Sequence, residues 1–186
     1  MNQSSLFRFA GWSAYVSAGA TIFGFVTLIT FFIVGDPFGI MNDVSSIIIV
    51  LSALPVLFTL HQLHRPAAPT GSTIALLIGA IAALSAAVFQ IIFIITRKTY
   101  GDSVSLSYGI FGLSLVLYGY LALTDKMLPR GLAWFGIVAG IGYVLVITGF
   151  ILGGENHPLT YIGGLASIIG YPTWVIGLGR QLLSRI

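Results

Sequence analysis

Cysteine is absent from the 186 residues, so the chain has no disulfide framework, no thiolate nucleophile and no Cys-ligated metal or iron–sulfur site. Charge is almost as scarce. Asp, Glu, Lys and Arg make up 7% of the chain, whereas a soluble domain carries roughly 25%. What charge there is lies beside the long apolar runs rather than within their central parts. This argues against ion-coupled transport, which normally uses intramembrane carboxylates, and against a retinal site, which needs a mid-span lysine. No Gly-x-Ser-x-Gly elbow, His-Glu-x-x-His motif or in-span acid pair is present, so the chain reads as non-catalytic. The net charge of +3 is dispersed, not gathered into a patch, and gives no nucleic-acid signal.

Hydrophobic residues account for 57% of the chain, and the mean hydropathy is +1.02. Six apolar runs, 9–34, 44–63, 72–96, 104–123, 132–152 and 159–183, are each long enough to cross a hydrocarbon layer of about 30 Å. In lipid the backbone must satisfy its own hydrogen bonds, so runs of this length mean α-helices. The expected fold is all-α: a single six-helix transmembrane bundle over 1–186 with no soluble domain, set in a lipid bilayer. The first run continues unbroken from Ala18 to Val34, longer than the roughly 7–15 residues of a signal-peptide core, and is read as a retained span.

Counting Lys and Arg on alternate sides sets the expected orientation. Arg8, Arg65, Lys126, Arg130, Arg180 and Arg185 fall on the side of the termini, and Arg97 and Lys98 on the other, which predicts both termini in the cytoplasm. Asp36, Asp43, Asp102 and Glu155 then lie outside and Asp125 inside. An internal likeness accompanies this layout. Arg8-(x3)-Trp12 opens the first helix and Arg130-(x3)-Trp134 the fifth, and their partner helices each hold one proline, Pro55 and Pro172, followed by Gln62-Leu63 and Gln181-Leu182. Three helical hairpins related by a parallel repeat would produce this pattern.

Polar residues inside the runs recur at helical spacing. Ser45, Ser52 and Thr59 share one face of the second helix, and Ser13, Ser17 and Thr21 one face of the first. Such hydroxyls line a cavity, or else bond the carbonyl of the preceding turn and join neighbouring helices. Small residues form further stripes: Ala10, Ala14 and Ala18 on the first helix, Gly136-(x3)-Gly140 on the fifth, and Gly163, Ser167 and Gly170 on the sixth. Stripes of this kind let helix backbones approach closely, and one left facing lipid would dock a membrane-protein partner.

The two prolines mark the expected site. Pro55 deprives the Leu51 carbonyl of its usual donor and Pro172 does the same to Ile168, and paired kinks can open a cavity. The candidate ligand-binding residues are Ser52, Pro55 and Thr59 on the second helix, Gln90 on the third, Tyr118 on the fourth, Tyr143 on the fifth, and Ser167, Tyr171, Thr173 and Trp174 on the sixth. Hydroxyls and rings without charge suit a neutral or lipid-like ligand. A transport component for a small neutral solute is the alternative. His61 and His64, three apart near the end of the second helix, read as interfacial residues, too few for a closed zinc site, and no cofactor is expected.

The stretch Leu128-Pro129-Arg130-Gly131-Leu132-Ala133-Trp134-Phe135-Gly136-Ile137-Val138-Ala139-Gly140, with Tyr171-Pro172-Thr173-Trp174-Val175-Ile176-Gly177-Leu178-Gly179 in the last helix, resembles the C-terminal third of a widespread bacterial family of six-span integral membrane proteins of unknown function. That resemblance implies a bacterial plasma membrane and brings no catalytic residues with it. In size, span number and the Ala10/Ala14/Ala18 stripe the chain is also similar to the substrate-binding subunits of energy-coupling-factor vitamin transporters.

Overall fold

The computed structural model describes residues 2–97, 101–154 and 156–185, without the side chains of Gly101 and Asp102. The orientation arguments from Lys98, Asp102 and Glu155 therefore lie outside the described residues or side chains. Among the described residues the chain is all-helical, with six helices: α1 (Gln3–Val34), α2 (Phe38–His64), α3 (Pro69–Thr96), α4 (Gly101–Asp125), α5 (Arg130–Gly153) and α6 (Pro158–Leu183). All six are long and apolar enough to cross a membrane. Each expected span sits inside one helix, and most helices run several residues past the apolar run. Hydropathy marks the part that crosses hydrocarbon, whereas helical hydrogen bonding continues into the interface until something caps it.

The caps are readable in the sequence. Asn2 accepts from the Ser4 N–H at 2.8 Å to open α1, Pro69 and Pro158 occupy the first turn of α3 and α6, and His157 accepts from the Leu159 N–H to start α6. Gly35 and Gly154, with φ of 90° and 77°, end α1 and α5 in a conformation that side chains disfavour. With connections this short, consecutive helices run antiparallel.

The helices form a closed ring. Each packs on its neighbour in sequence, α6 returns to pack on α1, and α2 also touches α4 across the bend made by α3. Close approach depends on the small residues. A Cβ on Gly140 would lie 2.4 Å from the Gly112 carbonyl oxygen on α4, and one on Gly163 would lie 2.5 Å from the Gly142 carbonyl oxygen on α5. Ala10, Ala14 and Ala18 are buried on α1, so these stripes serve the bundle itself. Trp12 and Trp134 are exposed, as interface anchors would be. The prolines differ in setting: Pro172 is buried and Pro55 half-buried, and both helices run through them unbroken.

Candidate functional site

The ring would be hollow if large side chains did not fill it, and an aromatic cluster does so at mid-height. Tyr171 meets Phe111 and Tyr143 edge-on at centroid distances of 6.0 Å each, Tyr143 stacks on Tyr108 at 5.6 Å, and Trp174 continues the cluster from Tyr171 towards the end that holds the termini. Tyr171 is locked in place by α1. Its hydroxyl lies 2.8 Å from Ser17 Oγ, which also donates to the Ile49 carbonyl at 3.2 Å, so one serine ties α1, α2 and α6 together. Below this level Trp174, Leu57 and Tyr118 are all fully buried.

On the other side of the cluster, towards the end remote from the termini, lies an open central cavity of about 380 Å³. That is within the roughly 300–1,000 Å³ usual for small-molecule sites. Five of the six helices contribute: Thr21 and Gly24 from α1, Asn42 and Ser46 from α2, Tyr108 from α4, Tyr143 from α5 and Ser167 from α6 are among its walls. Apolar surface predominates, and none of the lining residues among those described is charged. Several wall hydroxyls are spent on their own helix: Thr21 donates to the Ser17 carbonyl, Ser46 to that of Asn42 and Ser167 to that of Gly164, while Tyr108 donates across to Ser46. The side chains of Asn42, Ser105 and Tyr143 have no hydrogen-bond partner among the described residues, and all three border the cavity. Ile168, whose carbonyl loses its helical donor to Pro172, is a wall residue too.

The candidate residues read from the sequence are therefore spread along the bundle. Tyr143 and Ser167 line the cavity, and Tyr171 lies beneath it. Trp174 is packed beyond Tyr171, against Gly136. Tyr118 is buried nearer the terminal end, donating to the Leu57 carbonyl at 3.0 Å. Ser52 and Thr59 donate to the carbonyls of Ile48 and Pro55 on their own helix, and Thr173 is exposed, bonding Ile169. Gln90, buried, donates to the Asp43 carboxylate at 2.5 Å. Thr21, Asn42, Ser46, Ser105 and Tyr108 complete the cavity and were not candidates. Only the helical phase of Thr21 signalled an inward face.

His61 and His64, read as interfacial, lie in the last turn of α2, where both are buried within the bundle, with His64 Nδ1 2.6 Å from Asp125 Oδ2. The acid comes from the end of α4, 61 residues away, where α2 and α4 terminate on the same side of the bundle. The second Asp125 oxygen accepts from the Met127 N–H at 3.0 Å, so the carboxylate also caps the turn after α4. His64 Nε2 and His61 Nδ1 have no hydrogen-bond partner among the described residues. Among the described residues no three His, Asp or Glu side chains converge into a metal-binding group.

These features define a polytopic integral membrane protein of six helices with a one-sided central cavity. Comparison with family models, with curated proteins and with solved structures returns no match.

Proposed function

We propose that this protein is a non-catalytic membrane protein that holds a neutral or lipid-like ligand in its central cavity, with the part inside the cavity uncharged. One observation carries the reading: Asn42, Ser105 and Tyr143 offer unpaired neutral hydrogen-bonding groups within an otherwise apolar hollow of about 380 Å³. These groups are accessible from the open cavity, and a ligand with one or two polar atoms can pair with them. The proposed site sits beyond Tyr171 rather than around Pro55 and Pro172, with Ile168, four residues before Pro172, among its walls. Native mass spectrometry of the detergent-solubilised protein tests this. An adduct of a few hundred daltons that disappears in Ser46→Phe supports it, and identical bare-mass spectra for both proteins oppose it.

The alternative is a transport component for a small neutral solute. It is favoured by the closure of the cavity on one side only, where the Ser17–Tyr171 pair and Phe111 form a plug that a second state would have to open. Solute flux in proteoliposomes equal to that of empty vesicles would remove this alternative. Membership of the bacterial six-span family, a plasma-membrane location with both termini cytoplasmic, and docking on a membrane-protein partner belong to the same proposal. The first two rest on the residues of α5 and α6 and on the Lys and Arg distribution, whereas the small-residue stripes, buried inside the bundle, lend docking no support.

A further inference from the structure

Two apolar grooves on the outer surface lie towards opposite ends of the bundle. Between α5 and α6 a groove of about 470 Å³ is walled by Gly131, Trp134, Phe135 and Val138 on one helix and by Leu165 and Ile169 on the other. Its length follows from the register of the pair. Gly177 packs on Leu132 and Gly170 on Ala139, which sets Leu165 close to the level of Val144, so the groove runs about 20 Å along the bundle axis from Gly131. One leaflet offers about 15 Å of hydrocarbon. The groove thus reaches from the interface on the side of the termini to mid-membrane depth, the span of one acyl chain.

Its mouth is cationic. By the same register Arg180 on α6 stands level with Pro129, beside Arg130 at the start of α5, and both arginines are exposed. Neither guanidinium has a hydrogen bond or ion pair among the described residues. Over the terminal segments and the α2–α3 and α4–α5 connections the sequence holds six Lys and Arg against one acid, Asp125, which is bound to His64 and to the Met127 N–H. The second groove, of about 570 Å³ between α1 and α2, is walled by Phe23 and Met41 and reaches Pro37 at the other end, next to Asp36.

We propose that the α5–α6 groove binds an anionic phospholipid of the leaflet on the side of the termini, with one acyl chain along Trp134, Val138 and Ile169 and the phosphate paired with Arg130 and Arg180. Guanidinium groups match phosphate oxygens in a bidentate fork, and the apolar walls match the chain. A zwitterionic lipid brings the same chain and phosphate, but its own cation offsets the phosphate charge, so net headgroup charge is what the two arginines read. The groove shares no wall residue with the central cavity, and the lipid site stands whether or not that cavity holds a ligand.

Trp134 makes the groove its own reporter, because bromine on an acyl chain quenches indole fluorescence on contact. The full chain carrying Trp12→Phe keeps Trp134 and the buried Trp174, which is 2% exposed. It is placed in phosphatidylcholine nanodiscs in which a rising fraction of the lipid is replaced by phosphatidylglycerol brominated on one acyl chain, or by phosphatidylcholine brominated in the same way. The lipid exchange constant at Trp134 favours phosphatidylglycerol about twentyfold, from about fivefold for each cation near the surface. Arg130→Gln lowers the preference to about fivefold, and Arg130→Gln with Arg180→Gln removes it while quenching by phosphatidylcholine stays unchanged. Val138→Phe, which fills the groove, removes the preference with both arginines in place. A chain in which Trp12 and Trp134 are both Phe, with Phe23→Trp as reporter, shows no preference in the α1–α2 groove. Equal quenching of Trp134 by the two brominated lipids overturns the proposal. A preference that survives the double arginine variant contradicts the assignment to Arg130 and Arg180, and one that survives Val138→Phe contradicts the seat of the chain. An equal preference at Phe23→Trp reduces the effect to attraction by the protein as a whole and also overturns the site.

Discussion

His64 and Asp125 show how far one long-range pair can matter in a chain with so little charge. The two side chains are buried against each other at 2.6 Å, and Asp125 also binds the turn that follows α4. Removing the acid strands an imidazole in a dry interior, so Asp125→Ala should cost about 1–3 kcal/mol, read as a lowered unfolding midpoint in mixed micelles. Asp125→Asn, which keeps a hydrogen-bonding oxygen, should cost less, and equal losses would contradict the pairing. Tyr171→Phe is the second test at this scale. It removes one hydroxyl bond and leaves Ser17 bonded to the Ile49 carbonyl, so a loss of about 0.5–1.5 kcal/mol is expected, with no change of fold by circular dichroism. Neither pair was legible in the sequence. Ser17 and Tyr171 are 154 positions apart and His64 and Asp125 61, and helical periodicity tells which face a residue occupies but not which helix it meets.

Among the elements, glycine separates the interfaces from the lipid-facing surface. Gly140 sits where α4 and α5 cross, with no room for a methyl group, whereas nothing lies within 4 Å of a Cβ built on Gly164 in α6. Gly140→Ala should therefore destabilise by about 1–3 kcal/mol through overpacking. Gly164→Ala should be neutral, or stabilising by up to about 1 kcal/mol, because alanine favours the helix. Parallel denaturation curves decide it, and a loss in Gly164→Ala as large as that in Gly140→Ala would refute the assigned packing. The helices themselves were readable, since apolar runs, prolines at first turns and glycines at ends each leave a local trace. Their ends were less so: α2 starts at Phe38 although the apolar run suggests 44, because Asn42 and Asp43 lower hydropathy without breaking a helix.

For the whole molecule, the order of helices around the ring decides where the site lies, and that order has no local signature. Packing of α6 on α1 brings Ser17 under Tyr171 and seals the bundle at mid-height, leaving the cavity on the side remote from the termini. Tyr143 and Ser167 were legible as candidates because they are polar or aromatic on inward faces. Asn42, Ser46 and Ser105 were not, since they look like interfacial residues until the ring closes over them. Sidedness is testable because the chain has no cysteine of its own. Single cysteines at Ser184 and at Asn156 should react with a membrane-impermeant maleimide from opposite faces of the cell membrane, Asn156→Cys in intact cells and Ser184→Cys only after permeabilisation. The reverse pattern would invert the orientation derived from Lys and Arg.

The same cysteine-free background permits the most direct test of the cavity. Ser46→Cys is introduced into the wall of the cavity and Ala83→Cys, fully buried on α3, serves as control. The rate of alkylation by a small thiol reagent is measured in nanodiscs with and without 2-phenylethanol. A cavity that admits a small, uncharged molecule predicts fast labelling of Ser46→Cys, slowed about tenfold by the alcohol at ten times its dissociation constant, and no labelling of Ala83→Cys. Labelling of Ser46→Cys as slow as that of Ala83→Cys, or rapid labelling indifferent to the alcohol at any concentration, would contradict it.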